Sequence, residues 1–204
     1  KPPHQRLKCY GKIVDIFCKI YDEETRKSLS VLVPGSGLGR LVYDLALTGC
    51  QCIHNEDDMN MLIVSYGLMN NLHKKESFVI YPWVNEWCHN YGGKKYLQGV
   101  KVPDVEINPS VNMVAWAGDF HTIFEENQHS EFDCIVTCFF LDTSINVISL
   151  IEKIHLILKP GGVWINIGPL VYHYADEIKY NSIEPTFEEL QHVIFNCLKF
   201  ETVF

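Results

Sequence analysis

The stretch Val31-Leu32-Val33-Pro34-Gly35-Ser36-Gly37-Leu38-Gly39-Arg40 breaks an apolar run with three alternating glycines, and the helical spacing of Leu41, Leu45, Ala46 and Gly49 follows at once. This order reads as strand (31–33), tight turn and helix (38–48). Gly35, Gly37 and Gly39 permit backbone conformations that other residues avoid, and they let a ligand come close to the main chain. The opening turn of the helix offers unpaired N–H groups to negative charge. The turn is therefore expected to receive a nucleotide-like cofactor.

The spacing narrows the choice of cofactor. A dinucleotide fingerprint, Gly-x-Gly-x-x-Gly, would put its third glycine where Arg40 stands. Gly-x-Gly-x-Gly is instead the spacing of class I S-adenosylmethionine-dependent methyltransferases, although many of them carry an acidic residue in place of Pro34. The plain structural alternative is a glycine-rich turn with no ligand. Downstream, Glu56 ends the second strand (50–55), where doubly wound folds place a carboxylate for the ribose hydroxyls. With Asp57 and Asp58 beside it, the alternative is a capping or solvated acid. Gly118-Asp119-Phe120, after the third strand, offers Asp119 to an adenine amino group and Phe120 to the ring; an ordinary turn with a core phenylalanine is the competing reading. Leu158-Lys159-Pro160-Gly161-Gly162 stops a helix just before a strand and is habitual in class I methyltransferases, which favours S-adenosylmethionine over NAD.

Working outward, the chain alternates strand and helix. A leading helix is expected over 7–21, a second helix over 59–72 capped by Asp57 or Asp58, strands over 112–115, 133–139 and 163–167, and helices over 146–158 and 186–197, with a last strand starting at 199. Such alternation implies a doubly wound, mostly parallel sheet of Rossmann-like type. Periodicity lapses from about 74 to 108. The aromatic, Pro and Gly content there (Tyr81, Pro82, Trp83, Trp87, Tyr91, Gly92, Gly93, Pro103, Pro109) suits an insertion folded as a lid. The whole is read as one domain over 1–204, with a cofactor-binding half (27–73), the insertion (74–111) and the remaining sheet with the acceptor side (112–204).

The 204 residues are 47% hydrophobic and 21% charged, as expected for one globular enzyme-sized unit. A formal charge of −8, without a concentrated basic block, argues against nucleic-acid or membrane-surface partners and for a small substrate. Eight cysteines lie mostly in apolar runs without paired Cys-x-x-Cys spacing, so they are read as reduced core thiols, with no metal site expected. A cytoplasmic or nuclear location is expected.

Several blocks together resemble the carnosine N-methyltransferase family. They are Val31 to Leu41 with its Pro34, Asn55-Glu56, Tyr81-Pro82-Trp83, Cys138-Phe139-Phe140-Leu141-Asp142-Thr143, Asn146-Val147-Ile148, Ile154 to Gly162, Trp164 to Leu170, and Tyr172-His173. The likeness runs from about Tyr10 to Phe200. It implies methyl transfer from S-adenosylmethionine to an imidazole nitrogen of carnosine, giving anserine and S-adenosylhomocysteine. It also implies that Gly37, Glu56, Asp119, Phe120 and Cys138 line the cofactor while Asp142 and His173 face the acceptor; Gly35, Gly39 and Arg40 join the cofactor set through the turn. Against that family the chain reads as truncated at both ends, lacking an upstream cofactor-contacting segment and a final antiparallel strand.

The residue types suit the chemistry. A carboxylate such as Asp142 holds an imidazole N–H, fixes the tautomer and offsets the forming imidazolium. The competing role for Asp142, or Thr143, is the N-cap of the 146–158 helix. His173 follows the last apolar strand near the carboxyl edge, where open α/β folds bind ligands. His54, His89 and His121 receive no role. Other functions kept in view are an inactive cofactor-binding module, a methyltransferase for protein histidine and an NAD-dependent oxidoreductase; a homodimer is the assembly to test for.

Overall fold

The computed structural model describes residues 3–70, 74–85, 95–124 and 130–203. The expectations for Trp87, Cys88, His89, Tyr91, Gly92, Gly93 and the helix end at Leu72 lie outside them. The chain divides into two compact units, 1–59 with 111–204, and 60–110.

In the first unit, α1 (Pro3–Arg6) runs through a π-helical stretch, Leu7–Gly11, into α2 (Lys12–Ile20), followed by α3 (Glu23–Arg26). The leading helix thus begins four residues before the position its apolar spacing marks. Then come β1 (Ser30–Val33), α4 (Arg40–Ala46) and β2 (Gln51–Glu56). The second unit holds most of α5 (Met59–Asn70) and an antiparallel hairpin of β3 (Phe78–Ile80) and β4 (Val100–Val102). The first unit resumes with β5 (Met113–Ala117), α6 (Phe120–Ile123), β6 (Phe132–Cys138), α7 (Val147–Ile157), β7 (Leu158–Ile167) and α8 (Phe187–Gln191), which passes into a π-helical stretch, His192–Cys197.

The large sheet has the order β5-β2-β1-β6-β7 with every pairing parallel. This is the doubly wound Rossmann-like arrangement expected. Alternation along β1 explains how both faces are covered. Val31 and Val33 point into a core with Ile13 and Phe17 of α2 and Leu41, Val42 and Leu45 of α4, while Leu32 points into a second core with Ile135, Phe120 and Leu150, Ile151 and Ile154 of α7. Each such fully buried Leu, Ile or Phe stabilises the unit by roughly 1.5–3 kcal/mol.

The Leu158–Gly162 stop takes an unusual form. Leu158 already pairs with Phe132, and Val163 pairs with Cys134, so residues 159–162 loop out opposite the single residue Asp133. A Cβ on Gly162 would lie 2.9 Å from the Lys159 carbonyl oxygen and 3.1 Å from that of Asp133. Only glycine fits there.

Two expectations are corrected. Residues 199–203 form no strand: Phe200 stacks instead on His155 and Trp164, with ring centroids 5.2 and 5.6 Å away. The N-cap of α7 is neither Asp142 nor Thr143 but Asn146, whose side chain accepts from the Ser149 N–H at 3.0 Å.

Candidate functional site

The glycine turn is built as its spacing requires. Gly35, Gly37 and Gly39 have φ of +56°, +58° and +78°, a region in which a side chain is strained. A Cβ on Gly35 would fall 2.4 Å from the Phe140 ring, so this glycine lets the ring lie on the turn, whereas the position over Gly37 is open, with no atom within 4 Å. Phe140 is a contact that the sequence reading missed. Its only signal is its place in the Cys138 to Thr143 block.

Glu56 ends β2 beside this turn and is buried. Its Oε2 accepts from the Gly37 N–H at 2.6 Å, and its Oε1 accepts from the N–H groups of Asp57 and Asp58, both at 3.1 Å. The negative charge that the turn attracts is therefore supplied first by the chain itself. Of roughly four lone-pair positions on a carboxylate, three are used, leaving one on Oε2 for a ligand hydroxyl. Burial, followed by the hydrogen bond with Glu56 and its charge, pushes the Asp57 carboxyl up. Asn55 ties the neighbouring loop to β2, its amide donating to the carbonyls of Trp116 at 3.1 Å and Gly118 at 2.9 Å.

The other expected cofactor residues sit around this edge in different states. Asp119 is exposed and caps α6, accepting from the His121 and Thr122 N–H groups at 3.0 Å each. Phe120 is buried in the second core, edge-on to Phe124 and Phe140, so its ring packs there and is not presented to solvent. Arg40 turns along α4 to Asp44, Nε to Oδ1 2.9 Å. Cys138 closes β6, half-buried, opposite Ile167. Directly after it, Phe139 takes φ +56° and approaches so closely that a Cβ on Gly168 would lie 3.2 Å from its backbone.

Asp142 and His173 come together. Asp142 lies in a 3-10 turn, Leu141–Thr143, beyond β6, and is 3% exposed. Its carbonyl oxygen accepts from the His173 N–H at 2.9 Å, which fixes the two residues side by side through main chain. The His173 side chain is exposed. Tyr172, at φ +48°, donates its hydroxyl to the Pro185 carbonyl, and its phenol is pushed up by burial first, then by the charges of Glu184, Asp142 and Glu189.

Residues 3–203 match the family profile described as Carnosine N-methyltransferase. The chain belongs to the carnosine N-methyltransferase family. Carnosine N-methyltransferase of Rattus norvegicus is 37% identical over 195 residues, covering 93% of this chain and 48% of the rat protein. The Drosophila melanogaster protein, carnosine N-methyltransferase unmet, is 38% identical over 205 residues, 98% of this chain and 43% of its own length. The chain thus spans about half the length of the curated relatives it matches. Among solved structures, a candidate sarcosine dimethylglycine methyltransferase from Galdieria sulphuraria superposes with a TM-score of 0.60 at 13% identity, over 91% of this chain and 59% of that one. The YcgJ protein from Bacillus subtilis gives 0.56 at 14% identity, over 93% and 66%. At these identities the likeness concerns the fold, which is that of class I methyltransferases.

Proposed function

We propose that this chain forms the catalytic body of an N-methyltransferase that moves the methyl group of S-adenosylmethionine to an imidazole nitrogen of carnosine or a related histidine-containing dipeptide, with anserine and S-adenosylhomocysteine as products. The observation that carries this reading is the side-by-side placement of Asp142 and His173 beyond the strand whose neighbour bears the glycine turn. The residues present suit the cofactor. Gly37 leaves its face open, and the oriented Glu56 carboxylate keeps a lone pair for a ribose hydroxyl. When bound, S-adenosylmethionine supplies a methyl group already made electrophilic by its sulfonium.

The chain's own task is then alignment, which contributes several kcal/mol in well-oriented reactions. The Asp142 carboxylate takes no hydrogen bond from another described residue, so it is available to the acceptor's imidazole N–H. Holding that proton fixes the tautomer, points the other nitrogen's lone pair at the methyl and offsets the charge that develops on the ring. His173 contributes to acceptor binding. The free thiols Cys9, Cys18, Cys50, Cys52, Cys134, Cys138 and Cys197 suit a cytoplasmic or nuclear setting, which we include in the proposal.

The test is incubation with labelled S-adenosylmethionine and a panel of imidazole acceptors, read by mass. Label on an imidazole nitrogen of carnosine is expected. Asp142→Asn should lower transfer roughly a hundredfold with affinity for S-adenosylhomocysteine retained, and His173→Ala should raise KM for the acceptor more than it lowers kcat. Cofactor binding without transfer to any acceptor would identify a binding module instead, and label only on protein histidine would move the acceptor class.

A further inference from the structure

Ser36, between the first two glycines of the turn, has one hydroxyl hydrogen, and that hydrogen goes to the Asn55 carbonyl at 2.9 Å. The same oxygen also meets Nδ1 of His54, so the proton of this second bond comes from the ring. We assign the His54 hydrogen to Nδ1, the tautomer that gives both contacts of the Ser36 hydroxyl a proton, which leaves Nε2 as a bare acceptor. Among the described residues Nε2 is buried without a partner, in a residue 3% exposed. An unpaired buried acceptor destabilises a fold, and an apolar side chain at this position would avoid it. Stability alone does not account for an imidazole here.

What the ring does hold is Ser36. The Ser36 N–H donates to the Asn55 carbonyl at 3.2 Å, and its carbonyl accepts from the Gly39 N–H at 3.0 Å. Gly35 and Gly37 on either side have no side chain with which to anchor themselves, so Ser36 carries the one side chain of residues 35–37, and the Glu56 carboxylate holds the Gly37 N–H from outside. In the sheet His54 stands between Val33 of β1 and Ala115 of β5, neither of them titratable. The charged residues of α4, Arg40 and Asp44, face each other.

We propose that His54 is a positioning residue for the cofactor: through Nδ1–H to Ser36 it holds the glycine turn in the shape that presents the Gly37 N–H to Glu56 and keeps the face of Gly37 open. The proposal rests on the reading of this turn as the S-adenosylmethionine site.

The experiment measures S-adenosylhomocysteine affinity by calorimetry and the unliganded thermal midpoint for the unsubstituted chain, His54→Leu, His54→Asn, Ser36→Ala, the double variant His54→Leu/Ser36→Ala, and Glu56→Ala. His54→Leu should bind about tenfold more weakly with a midpoint equal to or above that of the unsubstituted chain. His54→Asn, whose amide N–H stands where Nδ1 stands, should stay within about threefold of it. Ser36→Ala should match His54→Leu, and the double variant should be no weaker than either, because both remove one bond. Unchanged affinity in His54→Leu, failure of His54→Asn to restore it, or losses that add in the double variant would overturn the proposal. Weakening in Glu56→Ala with none in His54→Leu rejects the role of His54 alone. No binding by the unsubstituted chain rejects the cofactor reading, and this proposal with it.

Discussion

Glu56 is oriented by three backbone N–H groups before any ligand arrives, so its carboxylate loses little freedom on binding a hydroxyl. Glu56→Ala should weaken S-adenosylhomocysteine binding by about 1.5–3 kcal/mol, tenfold or more, in a calorimetric titration. Unchanged affinity would remove Glu56 from the site. His54 gives a second measurable consequence. Burial holds its pKa below the ordinary histidine value of 6.5, so below about pH 6.5 the unfolded chain binds a proton that the folded ring resists. Its contribution is complete above pH 6.5 and is lost as pH falls from there towards the lowered folded value, with a slope of at most about 1.4 kcal/mol per pH unit. Stability measured by denaturant from pH 7 to 5 should therefore fall more steeply in the unsubstituted chain than in His54→Asn. Equal slopes would show that the ring titrates alike in both states.

Among the elements, α7 offers the cleanest check. Asn146→Ala removes the bond to the Ser149 N–H and should cost about 1 kcal/mol in the urea midpoint, whereas Asp142→Asn leaves the cap in place. The sequence made this helix and its neighbours readable because apolar positions recur at helical spacing and because β1, β5 and β7 run into Pro34, Gly118 and Gly168. It did not identify the cap. Asp142, Thr143, Ser144 and Asn146 are all residue types that cap helices, and only the 3-10 turn Leu141–Thr143 decides which of them reaches the free N–H groups. The hairpin strands β3 and β4 are three residues each, too short for a period to register. The π-helical stretches Leu7–Gly11 and His192–Cys197 shift the hydrogen-bond register without a distinctive residue pattern. Around the turn, the left-handed backbone of Gly35 and Gly37 and the strand-end place of Glu56 were legible, because glycine spacing and strand length constrain them. Phe120 was not, since an aromatic after a turn buries its ring equally well against a core or a ligand.

At the scale of the whole molecule, every candidate site residue, from Gly35 to His173, belongs to the unit formed by 1–59 and 111–204. Hydrogen exchange with and without S-adenosylhomocysteine should therefore show added protection at the turn, at 55–58 and at 118–120; no added protection there would remove these residues from the cofactor site. Added protection within the β3–β4 hairpin as well would support the lid expected of residues 74–111. The bond that joins Asp142 to His173 runs from carbonyl to N–H and uses neither side chain. Exchanging either side chain therefore leaves the donor and the acceptor of this bond in the chain. A loss of transfer on substituting 142 or 173 then reads the side chain itself, with the main-chain clasp between the two positions as a constant background.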